Sequence, residues 1–179
     1  MMLMLHILCL ICTLNLVVGC RWVNQYDKPV RFSCPHGQAI SFIHSVHHNH
    51  FEDRRWCLGC RPTGGRHINC YWTPHYVNDW DKFFSFQCNN YGFIVGMQSI
   101  HHNHYEDRRF RFQCCSIAGK DLSQCHKTFR NQFDKPNTVH VPTGSVVRGV
   151  SSSHNNHYED RQYSWNICKL VNREQFSII

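Results

Sequence analysis

The feature that most constrains this chain is a ten-residue block written three times. It reads HHNHFEDRRW from His47, HHNHYEDRRF from His101 and HNNHYEDRQY from His154. With the Asp of each block as origin (Asp53, Asp107, Asp160), the spacings are 54 and 53 residues. The match runs beyond the block. Ile40, Ile94 and Val147 stand thirteen residues before each origin, and Ser45, Ser99 and Ser152 eight before. Further upstream, NQYDKPV at Asn24 is echoed by WDKFF at Trp80 and NQFDKPN at Asn131. Self-similarity at such a period marks a repeat architecture, in which each unit leans on its neighbours.

The units read as β. The third, fifth and seventh residues after each Asp are Trp56, Leu58, Cys60; Phe110, Phe112, Cys114; and Tyr163, Trp165, Ile167. The residues between them are mostly polar, and this period-two alternation is that of a half-buried strand. A second strand runs through Gln38–Phe42, Phe93–Val95 and Ser145–Val147, and helix signals are nearly absent. The expected fold is all-β, with three repeats (residues 20–72, 73–127 and 128–179) around a pseudo-threefold axis in one domain spanning 20–179. A β-prism, each unit holding a small sheet of its own, is favoured; a β-trefoil is the alternative.

Residues 1–19 carry no charge and are mostly apolar, which reads as a secretory signal peptide ending at Gly19. No later stretch is apolar enough to span a membrane. Ten of the twelve cysteines follow Gly19, an even and dense set that in a secreted chain implies a disulfide framework. The repeat suggests the pairing. Cys34 and Cys60 occupy the slots of Cys88 and Cys114, and in the third unit both slots turn apolar together, as Val141 and Ile167. Thiols that vanish as a pair are bonded as a pair, giving Cys34–Cys60 and Cys88–Cys114. Joining each unit's end to the next unit's strand gives Cys70–Cys115 and Cys125–Cys168. Cys20–Cys57 completes the set.

The net charge of +7 favours anionic partners, and the many histidines add positive charge as pH falls. Within the block, Glu52/Glu106/Glu159, Asp53/Asp107/Asp160 and Arg54/Arg108/Arg161 are identical columns. Arg shares strand parity with the core aromatics, so it is buried and paired, with the Glu two residues earlier on the same side. Structurally, Asp and Arg would pin the strand entrance. Functionally, Glu, Asp and Arg beside an aromatic would offer a planar hydrogen-bonding set and a stacking face to a sugar or anionic glycan. His47/His101/His154 and His50/His104/His157, with Asn49/Asn103/Asn156 between, recur without an obvious folding reason. They are an inherited polar loop, a glycan-binding loop used three times, or a divalent-metal site of His with carboxylate. No obligatory cofactor is implied. There is no nucleophile elbow, phosphate loop or HExxH, and histidines repeated threefold suit a single asymmetric active site poorly, so an enzyme is not expected.

The Asp-Arg-x-aromatic blocks leading to Cys60, to Cys114-Cys115 and to Cys168 resemble the dermatopontin family, as do CPHGQAI at Cys34, CNNYGFIVGMQS at Cys88 and Asn69-Cys70-Tyr71-Trp72. The resemblance covers nearly all of the chain after Gly19. It implies a secreted extracellular-matrix or cell-adhesion protein whose partners are glycosaminoglycan or proteoglycan, collagen or cell-surface glycans, and not nucleic acid. Invertebrate members include agglutinins and cell-aggregation factors, which implies a multivalent lectin as the second reading. A metal-binding matrix protein is the third. The chain departs from the vertebrate pattern in its HHNH run, its short Cys20–Asp27 segment, its extra Cys20 and Cys57, and the missing cysteine after Cys168.

Overall fold

A computed structural model describes residues 21–173. The proposed signal peptide and Cys20 lie outside the described residues. Eleven strands form three separate sheets: β1 (Val30–Ser33), β2 (Gln38–His48), β3 (Asp53–Pro62), β4 (His67–Trp72), β5 (Phe84–Gln87), β6 (Phe93–His102), β7 (Asp107–Ile117), β8 (Lys120–Lys127), β9 (Asn137–His140), β10 (Ser145–Asn155) and β11 (Asp160–Asn172). The chain is all-β, and the three sheets are consistent with the prism expectation.

The heart of each sheet is a long antiparallel hairpin: β2–β3, β6–β7 and β10–β11. The ten-residue block is its turn and the entrance to its second strand. His48 faces Asp53, His102 faces Asp107 and Asn155 faces Asp160 across the turn. Each hairpin carries a register shift, between Ile40 and Phe42, Ile94 and Gly96, and Val147 and Gly149. Such a bulge bends the strand and increases its twist.

The expectation that each unit holds its own sheet requires correction, because the repeats exchange edges. The sheet orders are β3-β2-β9, β1-β6-β7-β4 and β5-β10-β11-β8. Repeat one lends β1 and β4 to the hairpin of repeat two. Repeat two lends β5 and β8 to repeat three, and repeat three returns β9 to repeat one. The place of a fourth strand beside β3 is taken by Trp22, bridged to Cys57, and Val23, whose N–H donates to the Trp56 carbonyl. A hairpin alone is marginal in water, so each is completed by a neighbour and the set closes on itself. Gly96 and Gly149 admit the lent strands, since a Cβ at Gly149 would lie 2.2 Å from the Phe86 carbonyl oxygen.

Four bridges between described residues staple the exchange. Cys34–Cys60, Cys70–Cys115, Cys88–Cys114 and Cys125–Cys168 are four of the five pairs expected from the repeat. Cys57 is also disulfide-bonded. Cys70–Cys115 and Cys125–Cys168 tie lent strands β4 and β8 to their hosts.

The core lies on the pseudo-axis. The third residues after each origin, Trp56, Phe110 and Tyr163, meet edge to face in all three combinations, at 6.1, 5.1 and 6.0 Å with ring planes 80–87° apart. Each is almost completely buried, and Ile43, Met97, Phe112, Val150 and Trp165 pack around them.

Candidate functional site

One end of the axis is polar. Arg54, Arg108 and Arg161 are only 2–3% exposed, as are Asp53, Asp107 and Asp160. The sequence reading paired each Arg with the Glu of its own block; the structure corrects this. Arg54 donates from Nε and Nη2 to Asp160, both at 2.6 Å. Arg108 donates likewise to Asp53 at 2.5 and 2.7 Å, and Arg161 to Asp107 at 2.5 and 2.7 Å. Each repeat gives its Arg to one neighbour and its Asp to the other, so three two-toothed ion pairs form a closed ring. A strand face cannot pair Arg with its own Glu here because Glu52, Glu106 and Glu159 take left-handed backbone (φ 43–44°), which turns them toward the opening.

The upstream echo, to which its sequence alone assigns no role, locks this ring. Backbone N–H groups of Asp27, Asp81 and Asp134 donate to Asp53, Asp107 and Asp160 at 2.8–2.9 Å. Carbonyls of Lys28, Lys82 and Lys135 accept from Arg108, Arg161 and Arg54 at 3.0–3.1 Å. Asn24, Asn78 and Asn131 accept from the Trp56, Phe110 and Tyr163 N–H groups. Ser45 and Ser99 accept from Arg54 and Arg108.

Above the ring sit His47, His101 and His154, with side chains 0–1% exposed, so this column is buried and not part of a solvated turn. Each lies between a Glu of its own block and an Asp of the preceding repeat. His101 is 3.4 Å from Asp27 and 3.6 Å from Glu106; His154 is 3.5 Å from Asp81 and 3.6 Å from Glu159. His47 is 3.3 Å from Glu52, 3.3 Å from Asp160 and 3.7 Å from Asp134. The cavity they line, with a volume of about 10 Å3, admits a single water-sized sphere. Ligand-type atoms come together as Asp27, Asp53 and His101 and as His47, Asp134 and Asp160. In both sets one carboxylate, Asp53 or Asp160, is already committed to a guanidinium.

Nine carboxylates (Asp27, Glu52, Asp53 and their repeats) thus face three guanidinium groups, and the excess negative charge makes some of the acids harder to ionise. Burial and then the surrounding carboxylates push Glu106 up; burial and the acids Asp81 and Glu52 do the same to Glu159. Burial alone would lower His47, but Asp160 and Asp134 beside it raise it. Burial would raise Asp160, but His47 and Arg54 hold it at about 2. The signs combine. Raised His47 contributes stability that is present below ~6.5 and lost as pH rises through its folded value. Asp160 contributes stability that is present above ~3.8 and lost toward 2. Glu106 and Glu159, being harder to ionise when folded, favour the fold as pH drops toward their range. The melting temperature should therefore peak between pH ~4 and ~6 and fall by a few degrees toward pH 8. Calorimetry across pH checks this, with His47→Gln flattening the alkaline side; a melting temperature still rising from pH 6 to 8 would contradict it.

The remaining block residues lie outward. Asn49, His50, Asn103, His104, Asn156 and His157 are exposed on the hairpin tips. The block aromatic there stacks on an aromatic of the upstream echo: Tyr26 on Phe51 at 4.7 Å, Trp80 on Tyr105 at 5.3 Å, and Phe133 on Tyr158 at 4.7 Å. His50, His104 and His157 stand edge-on to Phe51, Tyr105 and Tyr158 at 4.9–5.0 Å. The structure thus splits the block. Arg54, Arg108, Arg161 and the inner histidines are spent inside, whereas the outer histidines and aromatics form three copies of an exposed platform.

Fold and site together define a disulfide-stapled β protein of three repeats, closed by exchanged edges and by a ring of ion pairs. The dermatopontin family model matches residues 24–172. The chain belongs to the dermatopontin family. Millepora cytotoxin-1 of Millepora dichotoma is 41% identical over 146 residues, 82% of this chain, which spans 65% of that relative's length. The hemagglutinin/amebocyte aggregation factor of Limulus polyphemus is 42% identical over 154 residues, 84% of this chain and 88% of its own. Dermatopontin of Biomphalaria glabrata is 37% identical over 149 residues, 83% of this chain and 99% of its own. No solved structure matches significantly. Among the described residues no helix is long and apolar enough to cross a membrane.

Proposed function

We propose that this protein is a secreted matrix or cell-adhesion protein of dermatopontin type that cross-links anionic glycans, proteoglycans or matrix proteins. The observation that supports this reading is the threefold platform: stacked aromatics edged by histidine and asparagine, on rigid hairpin tips. An aromatic face suits the C–H face of a sugar ring, and imidazole and amide groups suit its hydroxyls or sulfates. Three such platforms make attachment multivalent, so that weak single contacts add through effective concentration. The Limulus relative, named for hemagglutination and cell aggregation, favours a multivalent lectin as the second reading.

The triple variant His50→Ala, His104→Ala, His157→Ala separates platform from scaffold, because these side chains lie outside the core. On a surface coated with dermatan sulfate or heparin, retention is expected to fall at least tenfold, with melting temperature unchanged. Equal retention would remove the platforms as sites. Release by salt selects the anionic-glycan reading; release by a free monosaccharide selects the lectin.

A further inference from the structure

The three platforms are not equivalent, because repeat three lacks the cation that clasps the other two. In repeat one the Arg55 guanidinium lies over both Trp22 and Tyr26, at 4.6 and 4.8 Å. In repeat two Arg109 lies over Tyr76 and Trp80, at 4.5 and 4.6 Å. The corresponding residues of repeat three are Gln162, Phe129 and Phe133. Phe133 keeps its stack on Tyr158. Without the cation that clasps its counterparts, Phe129 stands 99% exposed, whereas Trp22 and Tyr76 are partly buried. At that exposure the Phe129 ring is open to a partner, which the clasped rings of repeats one and two are not.

Phe129 borders a groove of about 510 Å3 between β8 and β9, the free edges of two different sheets. That volume is within the range of small-molecule sites. His126, Lys127, Arg130 and His140 line it, and no acidic residue does. Among the described residues neither Lys127 nor Arg130 pairs with a carboxylate; Arg130 donates only to Ser153. The side chains of Thr128, Asn131 and Thr138 there are engaged with Trp165, Tyr163 and His44, so the neutral hydrogen-bonding groups on offer are the backbone N–H and C=O groups along the free edges of β8 and β9.

We infer that repeat three carries a single groove for an acidic saccharide. Phe129 takes the apolar face of one ring, Lys127 and Arg130 take sulfate or carboxylate groups, and the edge-strand polar groups take hydroxyls. The combination of flat apolar face, unpaired cations and neutral hydrogen-bonding groups matches a sulfated or uronic-acid chain better than an acidic peptide, which offers no flat apolar face to stack. This rests on the glycan reading above and deepens it, placing one asymmetric anion site beside three symmetric platforms.

The test is titration calorimetry of the oxidised protein with a heparin-derived hexasaccharide. One tight site per chain is expected, weakening as salt is added, because a single platform holds so short a chain too weakly to register and contributes only when a surface engages several platforms at once. Phe129→Ala and the double variant Lys127→Gln, Arg130→Gln should each lose about tenfold or more in affinity. Gln162→Arg should rebuild the clasp of repeats one and two, cover Phe129 and abolish the site, with melting temperature kept or raised. The triple histidine variant should still bind the hexasaccharide. If it loses binding, or if three sites per chain are found, the platforms are the acid-saccharide sites and the groove is not. Unchanged affinity in Phe129→Ala and Gln162→Arg would also overturn the groove, leaving the platform reading intact. Equal binding of a hexaglutamate peptide would overturn the saccharide assignment.

Discussion

Arg108→Ala is expected to cost about 3–5 kcal/mol of folding stability, the scale for breaking a buried ion pair from one side. The side chain supplies both teeth of the pair with Asp53 and a donor to the Lys28 carbonyl. Without it Asp53 keeps a buried carboxylate beside Glu106 and Asp27, with no guanidinium to answer it. Against a total of roughly 5–15 kcal/mol for a domain, that is a large share. Arg54→Ala and Arg161→Ala should cost similar amounts, since the ring has no privileged link. Arg108→Lys should recover only part, because a point charge cannot fill both carboxylate positions. Asp53→Asn combined with Arg108→Met should be less damaging than Arg108→Ala alone, because no charge is then stranded. Guanidinium denaturation with the disulfides intact measures all of these. A loss below ~1 kcal/mol for Arg108→Ala would show that the ring does not hold the repeats together.

Trp56→Ala should cost a comparable ~3–5 kcal/mol. Trp56 fills the meeting point of the three repeats and touches Phe110, Tyr163 and Trp165 edge to face. The cavity left behind would be lined by three rings from the other repeats, all fixed by their own strands, so collapse is limited. Trp56→Phe copies the residue that repeat two already uses and should cost less than half as much. Near-UV circular dichroism and denaturation would follow both. A Trp56→Ala variant within ~1 kcal/mol of the parent would mean that each hairpin is stable without the axial trio.

Much of this was legible because the repeat acts as an internal control. Loss of two cysteines together at Val141 and Ile167 identified a bonded pair without any coordinates. Alternation after each Asp placed Trp56, Phe110 and Tyr163 in a core, since period two has one structural meaning in a strand. What misled was locality. Arg54 and Glu52 lie two residues apart and seemed natural partners, yet Arg54 reaches Asp160, 106 residues away. His47 seemed a loop residue because the block is rich in His and Asn, but register places it opposite Arg54, one pair inside the turn. The Asn-x-x-Asp-Lys echo carried a signal that could have been used: a polar motif repeated with the same period has the same partner in each copy. The exposure of Phe129 was also foreshadowed, in the one block that reads Arg-Gln where the others read Arg-Arg.

The sequence by itself determined the local order of the chain: three β hairpins, their turns, which side chains face inward and four of the cysteine pairs. These follow from spacing, and spacing is a property of one strand or of one repeat compared with another. Only the tertiary structure decided which repeat completes which sheet, that each Arg is answered by the Asp of a neighbour, and that one basic groove opens where a single clasp is missing. Those outcomes depend on closure. A hairpin with a bare edge and a buried cation can be satisfied by its own repeat or by the next. The choice is made by the geometry of three bent hairpins meeting on one axis, where a neighbour's carboxylate comes closer than the local one.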